Sequence, residues 1–480
     1  IADAAKAAGM TYEDLEDIPV DDPEVYKLFN EGDTVGVFQF HGSGMTDLAV
    51  DIGVENMEDL SACNTMYRPA VLKAGIDKSF IRRRRGDEEV TFLHPKLKDV
   101  LELTEGLIIY QEQIIQIMMK LGLDEGEADL MRNDMEKVYK GAKPQSVLDD
   151  WIEKAKGRGF GEFDEDEAEE VVEQVMAQIG YLFNKAHSVS YSLIGYICQW
   201  LKVYHPYEFL TSCLNNESKL EKIEEYLAYF NNTYSVDIEI GDLNNFSVDF
   251  SVENEDTIKV GLENTKGLSK KVLDMVNDNR PYESVMDFFD SDIDWRVLNK
   301  RKLQTMSELG LFDGMPIYKN GPVIEHANQM KGFYNGLRTY GSGETNHYVT
   351  QKQDIGVWDE VYEDIMYYDG PSFADLAQKE VEYFGFHIIY DPLSYIRNNF
   401  DFKKIGRVMP GTLAVGGVVN GIKLHIDKKG NEMAFVSLKT LEDFKDIVIF
   451  ASQWGHYSKK LKIGSCGIFF LAMSDRKSYI

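Results

Sequence analysis

The stretch of residues 181–210, YLFNKAHSVSYSLIGYICQWLKVYHPYEFL, constrains the fold most, because it predicts one long apolar helix with a polar segment at its start. Ser188 is an acceptable N-cap and Pro206 cannot continue a helix, so we expect the helix to begin at Ser188 and to end before Pro206. Lys185 and His187 lie just ahead of that start. Because the first N–H groups of a helix lack partners and attract anions, these two side chains are candidates to bind a phosphate. The alternative is a buried helix that merely starts in a polar loop.

Size and charge exclude some classes of protein. The 480 residues are too many for a single core, and domains of ~100–200 residues predict about two to four of them. A net charge of −30 argues against a general nucleic-acid coat protein. Local basic patches still permit an enzyme that acts on DNA, because binding depends on such patches and not on the sum of charges.

The cysteines and the apolar runs indicate the compartment. Four widely spaced cysteines without a CxxC pair predict neither a zinc site nor a disulfide framework, and they fit a reducing, bacterial cytoplasm. No apolar run approaches the ~18 residues of a membrane span, and no signal peptide is recognised. Since the sequence begins with Ile1 and not with Met, we expect it to be part of a longer protein.

Periodicity divides the chain into a helical first part and a later region of strands. Residues 1–215 are predicted to be mostly helical, followed by two short helical units at 266–276 and 297–309 and a connecting segment at 315–370. From Gly411 onward, alternating apolar residues and the turn DKKGNE predict a hairpin meander of five short strands. Such a meander favours a small β-barrel like the OB-fold. The predicted fold class is therefore multidomain α+β.

Two further segments carry chemistry that a polyanion would need. Residues 36–45, GVFQFHGSGM, are predicted to form a strand that leads into a glycine-rich bend, where N–H groups approach a phosphate or a base; a simple tight turn is the alternative. Six cations within thirteen residues, opposed only by Asp77, predict a basic patch that contacts DNA phosphates. An exposed helix end that aids solubility is the alternative. The six are Lys73, Lys78, Arg82, Arg83, Arg84 and Arg85.

Taken in order, these segments resemble the fingers region of bacterial-type (C-family) replicative DNA polymerases, the alpha subunit of DNA polymerase III. The resemblance rests on GVFQF…SGM, LSACNTMYRPAVL, LIIYQEQIIQIMMKLG, EADLMR and NK-x-HS…YSLI…WLK. It is most specific in YQEQ and in NK-x-HS, it extends weakly beyond residue 215, and it covers most of the chain.

In that family, cations on the fingers helices bind the triphosphate of the incoming nucleotide. A triphosphate needs several fixed cations, and the planar fork of an arginine suits it. The residues that the resemblance implies for this role are Arg132, Lys185 and His187. Those that it implies around the nucleotide pocket are Gln39, Arg68, Gln111 and Gln113.

The sequence departs from the family's pattern at three places. Where two adjacent arginines and a lysine-rich stretch are usual, this chain has RNDMEK at 132–137, so that one cation is missing and acids intrude. His41 replaces a usual Glu, and RPAV at 68–71 replaces RPGP. These differences are typical of a divergent member, and a phage origin would account for them.

Downstream, the segment KGLS resembles the hairpin of a helix-hairpin-helix unit, with residues 298–312 as the partner unit. Such a hairpin offers backbone N–H groups to a phosphate, so Lys266, Gly267 and Ser269 are predicted to contact DNA. Because Ser269 replaces the usual second glycine, a plain packing unit of two helices is the alternative.

In the predicted barrel, aromatic and basic residues combine as in grooves that bind single strands, where stacked rings contribute ~1–3 kcal/mol per base. Phe435 and Phe450 lie on apolar strands and are predicted to belong to the core. The residues predicted to contact DNA are Lys423, Trp454 and Lys459.

The resemblance implies four parts of the chain. They are the end of a palm or connector at 1–28, the fingers at 29–215, a tandem helix-hairpin-helix and clamp-binding region at 216–400, and an OB-like barrel at 405–480. The one candidate for a clamp-binding peptide is QKQDIGV at 351–357.

The expected function is to bind the incoming dNTP and the primer-template as part of a replicative DNA-directed DNA polymerase. Nucleotidyl transfer needs two metal ions held by clustered carboxylates, and the family keeps those Asp residues in a palm whose motifs are not found here. We therefore expect no catalytic or metal-binding residue in this chain, and Mg²⁺ held by a palm outside it. The expected partners are the primer-template, dNTP, the missing palm and a sliding clamp. The alternative is a non-catalytic DNA-binding or processivity module derived from such a polymerase.

Overall fold

The structure, a computed structural model, describes residues 1–254, 256–317, 319, 323–324, 372–399, 412–440 and 444–472. The chain divides into two compact units, Ile1–Ser212 and Cys213–Ile480. Most of the predicted connecting segment at 315–370 and the whole candidate clamp peptide at 351–357 lie outside the described residues.

The first unit is helical, as predicted for residues 1–215. Its described α-helices, the last of which contains the boundary between the units, are α1 (Ala2–Ala7), α2 (Tyr12–Glu16), α3 (Pro23–Asn30), α4 (Ser43–Ile52), α5 (Met57–Met66), α6 (Pro69–Ala74), α7 (Ile76–Arg85), α8 (Lys98–Leu101), α9 (Gln111–Lys120), α10 (Glu125–Tyr139), α11 (Ser146–Gly157), α12 (Glu165–Gln178), α13 (Lys185–Tyr204) and α14 (Pro206–Asn216). Short 3-10 helices lie at Pro95–Leu97, Glu102–Thr104 and Ile179–Tyr181.

The apolar face of α9 lies in a core that α9, α10 and α12 share. The predicted face residues Ile114, Ile117, Met118 and Leu121 are all buried there, the first three completely. A helix with apolar residues at this spacing has one apolar face, which must be shielded from water. Helix α10 packs against that face of α9.

Helix α13 ends before Pro206, as predicted, but the predicted start at Ser188 is wrong. The helix begins at Lys185, and Asn184 is its N-cap, because the Asn184 side chain accepts a hydrogen bond from the His187 N–H at 2.8 Å. Ser188 is fully buried inside the helix, where its hydroxyl donates to the Ser61 carbonyl at 2.7 Å.

Of the two interpretations of residues 36–45, the strand is also wrong, and the tight turn is the one that the structure has. Residues 35–40 form turns, because Gly36 (φ 80°) and Gln39 (φ 66°) adopt left-handed conformations that an extended strand excludes. Phe40 is fully buried, and a Cβ at Gly195 of α13 would lie only 2.9 Å from the Phe40 ring. The turn is therefore packed closely against α13.

The second unit combines helices with two sheets. Its described helices are α15 (Leu220–Tyr234), α16 (Lys270–Asp278), α17 (Val285–Asp290), α18 (Lys300–Glu308), α19 (Phe373–Phe384), α20 (Pro392–Asn399) and α21 (Ala451–Tyr457). Its described strands are β1 (Asp237–Glu239), β2 (Ser251–Asn254), β3 (Thr257–Lys259), β4 (Thr412–Ile426), β5 (Glu432–Thr440), β6 (Phe444–Ile449) and β7 (Cys466–Ala472). Helices α16 and α18 confirm the two predicted helical units, whereas α17 was not predicted.

The two sheets have different topologies. In the small sheet the order is β1-β3-β2, with β1 parallel and β2 antiparallel to β3. In the larger sheet the order is β6-β5-β4-β7, and all neighbours are antiparallel. The predicted class, α+β with an OB-like sheet, is confirmed.

The larger sheet has four described strands instead of the predicted five. The segments LAVGGVV and IKLHI, predicted as two strands, form the single strand β4, because an irregularity in register between Val419 and Gly421 lets the strand continue past its glycines. The predicted turn is confirmed, since Asp427 accepts hydrogen bonds from the Lys429 and Asn431 N–H groups. No helix in the part of the chain that the structure describes is long and apolar enough to cross a membrane.

Candidate functional site

Two loops that precede helices α9 and α13 are joined by backbone hydrogen bonds. The Phe183 N–H donates to the Ile109 carbonyl at 3.0 Å, and the Gln111 N–H donates to the Phe183 carbonyl at 2.9 Å. This bridge brings the predicted YQEQ and NK-x-HS segments, about seventy residues apart in sequence, side by side.

The N-terminus of α13 is occupied by side-chain acceptors. The Lys185 N–H donates to both carboxylate oxygens of Glu112, at 3.0 and 2.8 Å, while Asn184 accepts from the His187 N–H. The ammonium of Lys185 lies 2.9 Å from Glu58, and its side chain is 31% exposed. The site predicted to bind phosphate therefore already holds two carboxylates of the protein.

His187 lies in the first turn of α13 and is exposed. Its ring stands between two aromatic rings, with centroid distances of 4.2 Å to Tyr191 and 5.4 Å to Phe183. These rings fix its position beside Lys185 and leave it open to solvent.

Arg68 holds the segment that precedes α13. Its guanidinium donates to the carbonyls of Thr65 at 2.6 Å and Tyr181 at 2.7 Å, and it lies 4.6 Å from the centre of the Phe183 ring. Burial lowers the pKa of Arg68. Among the described residues no carboxylate forms an ion pair with Arg68, so its charge adds a positive potential near Lys185.

The two glutamines of the YQEQ segment have different surroundings. Gln113 is 5% exposed; its amide oxygen accepts from the Ile109 and Tyr110 N–H groups, and its amide nitrogen donates to Thr104. It supports the loop before α9 from inside and has no surface for a ligand. Gln111 instead lines a cavity of about 140 Å³.

That cavity, called the α10 cavity below, collects residues from α9, α10 and the loop before α13. Its lining is Gln111, Arg132, Glu136, Tyr139, Lys140, Ile179, Gly180 and Leu182. It thus brings together two of the predicted nucleotide-binding residues, Gln111 and Arg132. Leu182, which lines the cavity, directly follows Tyr181, whose carbonyl accepts a hydrogen bond from Arg68.

Arg132 is held by acids of its own helix. Its guanidinium lies 2.9 Å from Asp129 and 3.7 Å from Glu136, and it donates to the Asn133 side chain at 2.8 Å. Its side chain is 13% exposed. Asn133 and Glu136, two residues that depart from the family's pattern, therefore both contact Arg132, together with Asp129.

Gln39 lies away from this cluster, exposed in the turn before α4. The neighbouring Phe40 packs at Gly195, ten residues along α13 from Lys185 and hence about 15 Å along the helix axis.

The four arginines of the predicted basic patch are all paired with acids, of which only Glu88 is near them in sequence. Arg82 and Arg83 bind Glu88, Arg84 binds Asp59 and Glu105, and Arg85 binds Asp51, with distances of 2.7–3.3 Å. Lys73 and Lys78 are exposed and form no ion pair with a described residue.

The hairpin before α16 is exposed, as a DNA contact requires. Lys266, Gly267 and Ser269 all lie on the surface. Gly267 adopts φ 100°, and a Cβ there would lie 3.1 Å from the Thr305 hydroxyl of α18. A glycine at this position therefore allows both the turn and the close approach of α18.

The aromatic residues of the larger sheet have the opposite exposure from that predicted. Trp454, predicted to contact DNA, is 6% exposed and packs in the core of the sheet, whereas Phe435 and Phe450, predicted for the core, are each 42% exposed. Phe435 alternates with the buried Ala434 and Val436 on β5, and this period of two is the signal that could have shown its exposure.

Phe435 lies among polar and basic residues of β4. Lys423 is exposed and directly opposite Phe435 in the register of β4 and β5. The ring of His425 lies 5.9 Å from that of Phe435. Lys459 is exposed beyond α21. Sequence reasoning thus missed Phe435, which offers the exposed ring that Trp454 does not.

Comparison with known proteins agrees with this arrangement. Residues 1–159 match the family described as the bacterial DNA polymerase III alpha subunit finger domain, and residues 235–320 match a helix-hairpin-helix motif. The second match confirms the helix-hairpin-helix interpretation of the segment around α16 and α18.

Similar proteins include DNA polymerase III alpha subunits of three bacteria. The identity is 29% over 477 residues for Borreliella burgdorferi, 31% over 458 for Treponema pallidum and 28% over 447 for Aquifex aeolicus. These stretches cover 94%, 92% and 90% of this chain, but only 40%, 38% and 36% of those proteins. The chain thus spans about two fifths of the length of these relatives. Over nearly all of its own length, the chain is similar to bacterial DNA polymerase III alpha subunits.

Proposed function

We propose that this chain forms part of a replicative DNA-directed DNA polymerase, in which it binds the triphosphate of the incoming dNTP and the primer-template. The observation that carries the proposal is the bridge between the loops before α9 and α13. It gathers Arg68, Gln111 and Lys185 from three separate segments, and the α10 cavity adds Arg132 to them.

The chemistry of the cluster fits a polyanion. Lys185 and His187 stand at the start of α13, where the helix dipole favours negative charge. Arg68 adds a positive charge with no paired carboxylate among the described residues, and Arg132 adds a planar guanidinium. Glu58 and Glu112 bind the ammonium and the N–H of Lys185. In the proposal, an incoming triphosphate takes the place of one of these carboxylates.

The metal ions of nucleotidyl transfer do not fit the described residues. Polymerases hold a pair of divalent ions between clustered carboxylates. In the described ranges no three His, Cys, Asp or Glu side chains come together to hold a metal ion. We therefore propose that Mg²⁺ is held by carboxylates contributed from outside these residues, and that the role of this chain is to bind and orient the nucleotide.

Binding of a dNTP to the full chain tests the proposal. Lys185→Ala is expected to weaken dATP binding about tenfold, because a hydrogen bond between charged groups contributes ~1.5–3 kcal/mol. His187→Ala is expected to weaken it less. The matched control is Lys27→Ala, since Lys27 is an exposed lysine on α3 that pairs only locally with Glu24. Equal binding by all four proteins, measured by calorimetry, would contradict the proposal.

We further propose that DNA is held by the exposed basic residues of both units. They are Lys73, Lys78, Lys266, Lys423 and Lys459. Each phosphate contact that is lost should lower the slope of log affinity against log salt by about 0.9 for duplex DNA. Lys266→Ala tests the hairpin, and the expected result is a smaller slope with unchanged folding.

For a single strand, Phe435→Ala is expected to cost ~1–3 kcal/mol of binding, because the ring would lose its stacking on a base. Tyr12→Ala is the control, since Tyr12 is an aromatic residue that is 74% exposed on the first unit. Equal binding of an oligonucleotide by both variants would remove Phe435 from the proposed surface.

A second function is favoured by one observation, the pairing of Arg132 with Asp129 and Glu136. These carboxylates neutralise Arg132, which was predicted to bind the triphosphate. A non-catalytic DNA-binding or processivity module would not need Arg132 for that role. DNA binding without any dNTP affinity would support this module. A dNTP affinity that depends on Lys185 supports the polymerase.

A further inference from the structure

We propose that Lys140 binds the terminal phosphate of the triphosphate together with Arg132, and that Glu136 now occupies the place of that phosphate. The inference rests on the proposed function and assigns a ligand to the α10 cavity. It concerns a lysine outside the family motif from which the candidate nucleotide ligands were drawn.

The spacing on α10 puts three charges in one row. Residues four apart on a helix lie on the same face, so Arg132, Glu136 and Lys140 form a stripe of cation, anion and cation. Lys140 is the C-cap residue of α10. Its ammonium therefore lies near the negative end of the helix dipole, which favours a cation there.

Glu136 bridges the two cations. One of its carboxylate oxygens lies 2.5 Å from the Lys140 ammonium, and the other lies 3.7 Å from the Arg132 guanidinium. All three side chains line the α10 cavity. An anionic group between two cations at the wall of a cavity marks a position where a phosphate oxygen would be equally stabilised.

The volume of the cavity limits what it can take. At about 140 Å³ it has room for roughly five waters of ~30 Å³ each, which is enough for a phosphate group but too little for a whole nucleotide. Gly180 lets Tyr139 close one wall of this space, because a Cβ there would lie only 2.5 Å from the Tyr139 hydroxyl. The cavity thus suits one end of a triphosphate, with the rest extending toward Lys185.

Lys140 also explains how the chain compensates for its missing arginine. Asn133 stands where the resemblance leads one to expect a second cation, and its side chain accepts a hydrogen bond from Arg132 instead of adding charge. Lys140 restores the second cation from two turns further along the helix, and the side chain is 64% exposed, so that it can move to a ligand.

Lys137 provides a matched control on the same helix. It is a lysine of similar exposure, 54%, but it lies 3.9 Å from Asp134 and does not line the cavity. Any general effect of removing a positive charge from α10 should appear equally in Lys137→Ala and Lys140→Ala.

The test is calorimetric binding of inorganic triphosphate, and of dATP, to the full chain and its variants. Lys140→Ala should weaken triphosphate binding about five- to tenfold, Lys137→Ala should leave it unchanged, and Glu136→Gln should strengthen it about threefold. Thermal melting checks that all three variants fold. A Lys140→Ala protein that binds as tightly as the wild type, or a Lys137→Ala protein that is weakened equally, overturns the inference.

The same variants separate this inference from the proposed function. If Lys185→Ala weakens dATP binding and Lys140→Ala does not, the inference is wrong and the proposed function stands. If Lys140→Ala weakens triphosphate binding and Lys185→Ala has no effect on dATP, the phosphate site stands and the nucleotide role of α13 is wrong. If neither variant changes either ligand, both are wrong.

Discussion

Helices α7 and α10 of the first unit both carry arginines that are paired with carboxylates, but the carboxylates come from different places. On α7, Arg84 reaches Asp59, 25 residues away, and Arg85 reaches Asp51, 34 residues away. On α10, Arg132 is paired with acids three and four residues away on the same helix. The first kind of pair joins separate segments of the fold, whereas the second kind can open while the helix stays intact.

This difference separates arginines that stabilise the fold from those that can exchange partners. A pair between neighbours on one helix contributes only ~0.3–0.5 kcal/mol, so a phosphate can replace the carboxylate at small cost. A pair that is largely buried is costly to break, because one charge is left without a partner. The side chain of Asp59 is only 4% exposed, and that of its partner Arg84 is 25% exposed.

The largest expected effect is on folding. Arg84→Ala is expected to lower the free energy of unfolding by about 3 kcal/mol, since it leaves a buried carboxylate unpaired. Burial raises the pKa of Asp59 even with Arg84 beside it, which shows how poorly the site tolerates the charge. Denaturant unfolding measures the loss. The double variant Asp59→Ala/Arg84→Ala should cost less than the sum of the two single changes, and strict additivity would contradict the pairing.

The next effect is on binding. Asp129→Asn removes a local partner of Arg132. The side chain of Asp129 is 48% exposed. It should change the free energy of unfolding by less than about 0.5 kcal/mol and raise the affinity for inorganic triphosphate about twofold. Calorimetry and thermal melting together measure both quantities. A loss of stability as large as that of Arg84→Ala would remove the distinction between α7 and α10.

A pH effect follows from the pairs around Glu88. Hydrogen bonds from Ser79, Arg83 and Arg82 lower the pKa of Glu88 from 4.5 to about 2. Because the pKa of Glu88 is lowered in the folded protein, ionised Glu88 stabilises the fold fully above pH 4.5. This contribution to the free energy of unfolding is lost as the pH falls through about 2. Glu88→Gln should therefore flatten the decline of stability with acid in this window, as followed by circular dichroism. An unchanged acid limb would show that Glu88 is not held by these donors.

The smallest expected effect is that of Arg85→Ala. Its pair with Asp51 is half exposed on both sides, at 50% and 55%, so the free energy of unfolding should change by less than about 0.5 kcal/mol. If Arg85 exchanges Asp51 for a DNA phosphate, the same variant lowers the salt slope of DNA binding by about 0.9. A stability loss above about 1 kcal/mol would instead place Arg85 with the residues that hold the fold together.

The fold was predictable where one local pattern decides it. The apolar spacing of Ile114 and Ile117 placed the buried face of α9 correctly, and Pro206 ended α13 where expected. The start of α13 was not predictable in the same way. Asn184 and Ser188 are both good N-caps by type. Ser188 is not the N-cap, because its hydroxyl is buried against α5, where it donates to the Ser61 carbonyl.

The site was predictable as a set of segments but not as a set of roles. Gln111 and Gln113 are two residues apart, yet one lines a cavity and the other supports a loop, because only the folded chain brings Thr104 next to Gln113. Arg84 and Arg85 of α7 appeared unopposed because their carboxylates, Asp59 and Asp51, are remote in sequence. The burial of Trp454 was not predictable in this way, because the residues that cover it come from strands remote in sequence. The exposure of Phe435 could have been predicted from the alternation along β5.

Lys202 gives α13 a fixed point near its far end. The side chain is completely buried, and its ammonium lies 2.5 Å from the Asp33 carboxylate and 3.1 Å from the Val35 carbonyl. Lys185 lies seventeen residues earlier, about 25 Å along the same helix axis. Since an intact helix resists bending over this length, the contacts of Lys202 and those of Lys185 are kept at a fixed separation, and Phe40 packs against α13 between them, at Gly195.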